Sequence, residues 1–425
     1  MKDVNLHQKT VLDNGLRVVS TTMPHTHSVS ISYLIGTGSR YEKDEQAGVS
    51  HFIEHLLFKG NTRRPTSKDI SAAIEGVGGG LNGGTDREST VYWVRVARPN
   101  FLLALEVLSD MILDSLFDPQ ELERERGVII EEINMTKDVP AHQVHVLTDE
   151  ILWPSHPLGR DIAGSKETVS MINREMMLDY MDSTYLPGNT VVAIAGDIQH
   201  EEAVDAVSQI TSNWNGKKDK PEYVPFSTGP NPRILVEKRD SEQAHLCLAL
   251  PGLPLLHPER FILDMLNIIL GEGMSSRLFT EIRDRLGLAY SIHSFCDHLQ
   301  DTGSMTIAAG VEPRNLGIAV EAIVRELALM KDTIPEEELV KVKEFAKGRL
   351  LLRMEDTRSV AGWTGGQEIL TGNILTLEEV VAKIDAVTVS QLQETAGKLI
   401  LEENLRLAVV GPVEDEKALE SLLHF

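Results

Sequence analysis

The sequence predicts an α+β protein of two homologous domains, each a mostly antiparallel sheet with helices packed on one face. Three observations carry that expectation. At 425 residues the chain exceeds what one ordinary hydrophobic core organises, so two domains of about 200 residues each are expected. Segments of strand-like alternation and helix-like periodicity follow one another in the same order in both halves. Between the halves, residues 216–232 are rich in Pro, Gly and Lys and read as a linker. The expected organisation is a domain over 1–215, a linker over 216–232 and a domain over 233–425.

The first half opens with a hairpin, in which 8–12 and 16–20 flank the turn Asp13-Asn14-Gly15. Residues 28–35 alternate as a longer strand that stops at Gly36-Thr37-Gly38. An apolar helix follows within 48–60, and a second helix over 65–76 has a start signal and a glycine stop. Residues 78–96 are glycine-rich, including Gly80 and Gly83, yet they lack the Gly-Lys-Ser/Thr ending and the strand–loop–helix context of a phosphate loop. They read as a glycine-thinned strand that another backbone approaches closely, with a structural bulge as the alternative. Such a backbone would be that of a bound chain, added as an extra strand to a sheet edge. Helices over 99–113, 118–135, 173–182 and 200–212 and a buried strand over 189–195 complete the half.

The second half repeats this order. Residues 245–251 answer the strand at 28–35, 261–270 answer the apolar helix, 304–313 parallel 90–99, and 335–339 parallel the helix start at Asp118. A period near 200 residues is a domain duplication and not a solenoid.

Composition narrows the function. A net charge of −23 argues against binding nucleic acid or an anionic membrane, both of which need positive patches. No apolar run reaches the roughly 18 residues of a membrane span. Residues 1–10 show neither an apolar signal core nor an Arg-rich transit pattern, so a cytoplasmic location is expected. The two cysteines, Cys247 and Cys296, are too few for a disulfide framework or a cysteine metal site and are expected to be buried.

The chemistry concentrates in His51-Phe52-Ile53-Glu54-His55. On a helix His51 and His55 stand at i and i+4, so both imidazoles leave one face and can grip one zinc ion at about 2.0–2.1 Å each. Glu54 lies beside them, placed to polarise water; the order is the inverse of the commoner His-Glu-x-x-His. Val49, Phe52, Ile53, Leu56 and Leu57 bury the helix, and buried imidazoles need a specific partner. A catalytic zinc keeps three protein ligands and one open position, so a third, acidic ligand is expected. The helix over 118–135 offers it: Glu121, Glu125, Val128, Ile129 and Glu132 are expected to share one stripe. Spacing alone leaves Glu131 and Glu132 both open. His7, His25, His27, His245, His293 and His298 have no partner at ligand spacing and read as surface or ordinary core histidines, with lining of a cleft beside Tyr290 as the alternative for His293 and His298.

The inverted motif with a glutamate far downstream resembles the pitrilysin/insulinase family of zinc metallopeptidases, and the chain length resembles its mitochondrial-processing-peptidase-like branch. The resemblance covers nearly the whole chain. It implies one zinc per chain held by His51, His55 and Glu132, with Glu54 as catalytic base and Glu125 as an additional active-site glutamate. It aligns Asn82 with an asparagine that contacts the substrate main chain, with Gly83 where alanine is usual. Residues 277–291 resemble the family's arginine–tyrosine segment, which implies that Arg283 and Tyr290 hydrogen-bond substrate near the scissile carbonyl. On the residues alone, an Arg capping its own helix and a Tyr packed at a strand start serve equally. The second half has no histidine pair and no acid matching Glu132, so one copy of the duplication keeps the chemistry. Full-size relatives have four such domains around the substrate; with two, a homodimer or a heterodimer with a homologous subunit is expected to complete the chamber. The substrate expected is a peptide or unfolded polypeptide. A catalytically silent or scaffold subunit that completes a partner's chamber is the alternative.

Overall fold

The structure is a computed structural model, and it describes residues 7–216, 221–227, 229 and 232–425. Part of the expected linker and of the expected leader-free start therefore lies outside the described residues. The chain divides into two compact units, the first of residues 1–133, 161–224 and 350–377, the second of 134–160, 225–349 and 378–425. Neither unit is one continuous stretch. A segment of the first half, 134–160, folds with the second unit, and 350–377 folds with the first.

The first unit holds a six-stranded sheet. Its strands are β1 (His7–Val11), β2 (Arg17–Thr22), β3 (Ser28–Ile35), β4 (Gly80–Thr85), β5 (Thr90–Ala97) and β6 (Thr190–Gly196), in the order β1-β2-β6-β3-β5-β4. Only β2 and β6 run parallel; the other pairs are antiparallel, and β1–β2 form the expected hairpin with Val11 opposite Arg17. Alternation along the strands sorts side chains to two faces. Val29, Ile31, Tyr33 and Ile35 of β3 and Tyr92, Val94 and Val96 of β5 are buried against helices α1 (Val49–Leu57), α2 (Ser67–Glu75) and α3 (Phe101–Leu113). On the opposite face Leu34, Val191, Ala193 and Ala195 pack on helix Thr357–Thr371.

That last helix was not visible in the sequence pattern because it carries Gly362, Gly365 and Gly366, poor helix formers. Its place depends on Gly365. A Cβ there would lie 2.4 Å from a Leu34 methyl and 2.8 Å from the Ala193 Cβ, so only a glycine lets the helix lie this close to the sheet. Buried Glu368 ties the same helix to β1 and β2 by accepting from Lys9 at 3.0 Å and Arg17 at 3.4 Å.

The second unit holds β7 (Ile234–Lys238), β8 (Ala244–Pro251), β9 (Ala289–His298), β10 (Gly303–Val311) and β11 (Arg406–Gly411), ordered β7-β11-β8-β10-β9. β7 and β11 are parallel and the remaining pairs antiparallel. Strand for strand this is the order of β2-β6-β3-β5-β4, so the duplication is present in topology as well as in pattern. Leu246, Leu248, Ile307 and Val409 face helices Arg260–Gly271 and Leu316–Asp332, while Cys247, Ala308 and Ala408 face α5 (Pro140–Leu152). Each sheet thus carries helices on one face, as expected, and one further helix on its other face. Cys247 is fully buried as expected; Cys296 is only half-buried, a correction that follows from its place on the edge strand β9. Among the described residues no helix is long and apolar enough to cross a membrane.

Candidate metal centre

Helix α1 is the first element of the site, and its N-terminus is fixed from outside. Gly48 precedes it at φ +95°, where an added Cβ would meet the Ala163 carbonyl oxygen at 2.5 Å, and it offers no capping side chain. The buried Glu42 carboxylate takes that role, accepting the Gly48 N–H and the Ser50 N–H at 2.8 Å each. A carboxylate there satisfies two otherwise unpaired amides and opposes the positive end of the helix dipole. Val49, Phe52, Ile53, Leu56 and Leu57 anchor the helix in the core. His51 and His55 are left on one face, their ring centroids 4.6 Å apart.

The second element is α4 (Pro119–Asp138). Its buried residues are Leu122, Glu125, Ile129 and Ile133, whereas Val128 is exposed. This corrects the expected stripe, which included Glu121 and Val128: the apolar face is turned by about one residue toward Leu122 and Ile133. Glu125 and Glu132 nevertheless both border it. Glu132 reaches the histidines, with its Oε2 3.8 Å from His51 Nε2 and 3.7 Å from His55 Nε2, while Glu131 is exposed and outside the group. Among the described residues His51, His55 and Glu132 are the group of this kind whose ligand atoms all lie within 4.8 Å of one another. Two ligands on a tetrahedral zinc stand about 3.4 Å apart, so the two carboxylate–imidazole separations are within a few tenths of an ångström of what the ion needs.

The surrounding groups prepare those atoms. Burial, and then the proximity of His55, lower the His51 pKa to about 4, so its ring is neutral with a free lone pair. Glu125, also buried, has its Oε2 3.0 Å from His55 Nδ1 and its Oε1 2.7 Å from Lys59 Nζ. Burial works against charge on Glu125, but the bonds to His55 and Lys59 outweigh it and hold this carboxyl below its usual range. An ionised carboxylate can only accept, so His55 Nδ1 carries a proton and Nε2 is the ring nitrogen turned toward Glu132. Glu54 is raised above the usual range by burial, against the pull of Thr85, whose hydroxyl donates to Oε2 at 2.7 Å. Two imidazoles, one carboxylate and a desolvated second carboxylate form a donor set that fits a catalytic zinc.

The other expected residues lie as follows. β4 is an edge strand, and its outer side pairs with no strand among the described residues. Gly80 and Asn82 on it are exposed, and Asn82 Oδ1 accepts the Gly83 N–H at 2.8 Å. A methyl on Gly83 would lie 3.1 Å from Phe58 and 3.2 Å from Glu54, so this position borders the base directly. Arg283 and Tyr290 belong to the second unit. Arg283 sits in the π-helical stretch Phe279–Arg285 with its guanidinium 4.6 Å from the Phe279 ring and 4.8 Å from the Tyr290 ring, and Tyr290 is 81% exposed. His298 is tied within its own unit, its Nδ1 2.7 Å from the Leu253 carbonyl and its Nε2 3.0 Å from Asp264. His293 is exposed and stacks on Phe295. Sequence reasoning missed Glu42, Lys59 and Thr85. A helix that begins after glycine with no capping side chain was the available signal for Glu42; Lys59, at i+4 from His55, was visible by spacing.

Known proteins match this arrangement. The family described as Insulinase (Peptidase family M16) matches residues 17–166, and the one described as Peptidase M16 inactive domain matches 171–345. The chain is 37% identical over 401 residues to the uncharacterized zinc protease YmxG of Bacillus subtilis, covering 94% of this chain and 97% of that protein. It is 34% identical over 425 residues to the uncharacterized zinc protease SCO5738 of Streptomyces coelicolor, covering 98% and 92%. Its fold is shared with a protease from Helicobacter pylori, at TM-score 0.89 and 22% identity over 96% of this chain and all of that one. It is shared as well with a chain of complex III2 from Candida albicans, at TM-score 0.84 and 18% identity over 98% and 100%. With family matches over 17–166 and 171–345 and zinc-protease relatives aligned over nearly its full length, the chain belongs to peptidase family M16.

Proposed function

We propose that this chain is a zinc-dependent endopeptidase that hydrolyses peptides bound as an extra strand along the free edge of β4. The observation that carries the reading is the convergence of His51, His55 and Glu132 beside the desolvated carboxylate of Glu54. Those three residues would hold the ion. Zinc bound there supplies Lewis-acid activation of water and polarisation of the scissile carbonyl. Glu54, with one oxygen occupied by Thr85, uses the other to take the proton of the attacking water and hands it to the leaving amine. Water thus adds across one C–N bond, its oxygen to the carbonyl carbon and its hydrogen to nitrogen. The backbone of β4 pairs with substrate amides and carbonyls, and Asn82 and the thin positions Gly80 and Gly83 admit that chain closely. Glu125 orients His55. The Tyr290 hydroxyl, steered by Arg283, donates to the developing oxyanion, a contact of a kind worth about 3 kcal/mol. The two free thiols, Cys247 and Cys296, support action in a reducing compartment, the cytoplasm.

Hydrolysis of an internally quenched peptide by the purified chain is expected, with loss on chelation and recovery on adding back zinc. Activity that survives complete zinc removal rejects the reading. A silent subunit, the competing role, hydrolyses nothing under either condition.

The proposal extends to a dimer in which Arg283 and Tyr290 of one subunit serve the zinc site of the other. An equilibrated mixture of Arg283→Ala and Glu54→Gln subunits then regains about a quarter of wild-type activity, since half the dimers are mixed and each of these has one complete site. A mixture as inactive as its components, with mixed dimers demonstrated, rules out sites shared between subunits.

A further inference from the structure

We propose that Lys59 is a positioning residue for the metal site, acting through Glu125 on His55. The inference rests on the zinc reading and goes beyond its ligand set. Lys59 lies just past the end of α1, four residues beyond His55, and both side chains reach the same carboxylate. Glu125 on α4 spans the two, one oxygen 3.0 Å from His55 Nδ1 and the other 2.7 Å from Lys59 Nζ. Glu125 is 5% exposed, and Lys59 only partly so, with 26% of its side chain accessible. The carboxylate is therefore pinned at both oxygens, and its plane, which sets the direction in which His55 Nε2 points, is determined by the lysine. His51 has no counterpart among the described residues: its Nδ1 is buried without a hydrogen-bond partner there, so no such clamp orients that ring. The site is thus aimed asymmetrically, one histidine held by a Lys–Glu clamp and the other without one.

Without the ammonium, the second Glu125 oxygen loses its partner, the carboxylate rotates, and His55 is held by packing alone. An ordinary helix-end lysine would contribute instead only through the negative end of the helix dipole, a role any cation at that position fills without reference to Glu125.

The test measures zinc affinity by competition with a chelator of known strength, with the visible spectrum of the cobalt(II)-substituted full chain as a second readout. Lys59→Met is expected to weaken zinc binding by about 10–100-fold, the range for partners of metal-bound histidine, and to change the cobalt spectrum. Lys59→Arg is expected to restore most of the affinity. The double variant Lys59→Met/Glu125→Gln is expected to bind within about twofold of Glu125→Gln alone, because both changes break one chain of contacts. Should Lys59→Met not fold, Lys59→Gln carries the same comparison. Zinc binding by Lys59→Met equal to wild type overturns the proposal, as do single losses that multiply in the double variant. Wild-type chain that takes up no zinc overturns instead the reading on which it rests.

Discussion

Glu54→Gln abolishes peptide hydrolysis while leaving zinc in place. The expected drop in kcat is about 10²–10⁴-fold, the span over which a positioned general base acts, with zinc content unchanged. Glutamine has the shape of glutamate, and its amide oxygen still accepts from the Thr85 hydroxyl, so the strand and the helix stay where they are. What disappears is the ability to take a proton. Burial already raises the Glu54 pKa, meaning that the folded chain works against holding charge there. The substitution is therefore expected to leave thermal stability equal or slightly higher, the trade expected of a site where function and stability conflict. Steady-state kinetics on a quenched peptide, paired with metal analysis of the same sample, checks both halves. Activity within tenfold of wild type would remove Glu54 from the role of base.

Arg40→Met is expected to destabilise the first unit by about 3–5 kcal/mol, the cost of removing one member of a buried ion pair. The Arg40 side chain is fully buried; it donates from Nη1 to Glu88 at 2.5 Å and from Nη2 to the Val224 carbonyl at 3.2 Å, and its guanidinium lies 3.9 Å over the Tyr223 ring. Arg40 stands shortly before α1, and Glu88 lies in the turn between β4 and β5, so the pair fastens the proposed substrate edge to the segment that leads into the histidine helix. Urea unfolding followed by fluorescence should show a lower midpoint at similar slope. The double variant Arg40→Met/Glu88→Leu should recover part of the loss, since it replaces both members of the pair by apolar groups. A shift below about 1 kcal/mol would mean that the pair is solvated in solution and contributes like a surface ion pair.

The site was legible in the sequence to different depths. His51 and His55 were readable because helical spacing alone puts i and i+4 on one face. Glu132 was not separable from Glu131 by spacing, because a rotation of the helix by one residue exchanges them; packing of Leu122, Ile129 and Ile133 sets that rotation and turns Glu132 inward. Thr85 was beyond reach for a related reason. Its hydrogen bond to Glu54 joins α1 to a strand whose proximity no local pattern encodes.

The sequence by itself determined the two-fold repeat of strands and helices, the helix that bears the histidines and the loss of those histidines from the second copy, because each depends on residue type and short-range period. Only the tertiary structure decided that helices Pro140–Leu152 and Thr357–Thr371 pack on sheets built mainly from the opposite half of the chain. It also decided which carboxylate faces the imidazoles and what holds the second one in place. Those outcomes depend on which buried surfaces fit together across hundreds of residues, and complementarity of that range leaves no periodic mark in the chain.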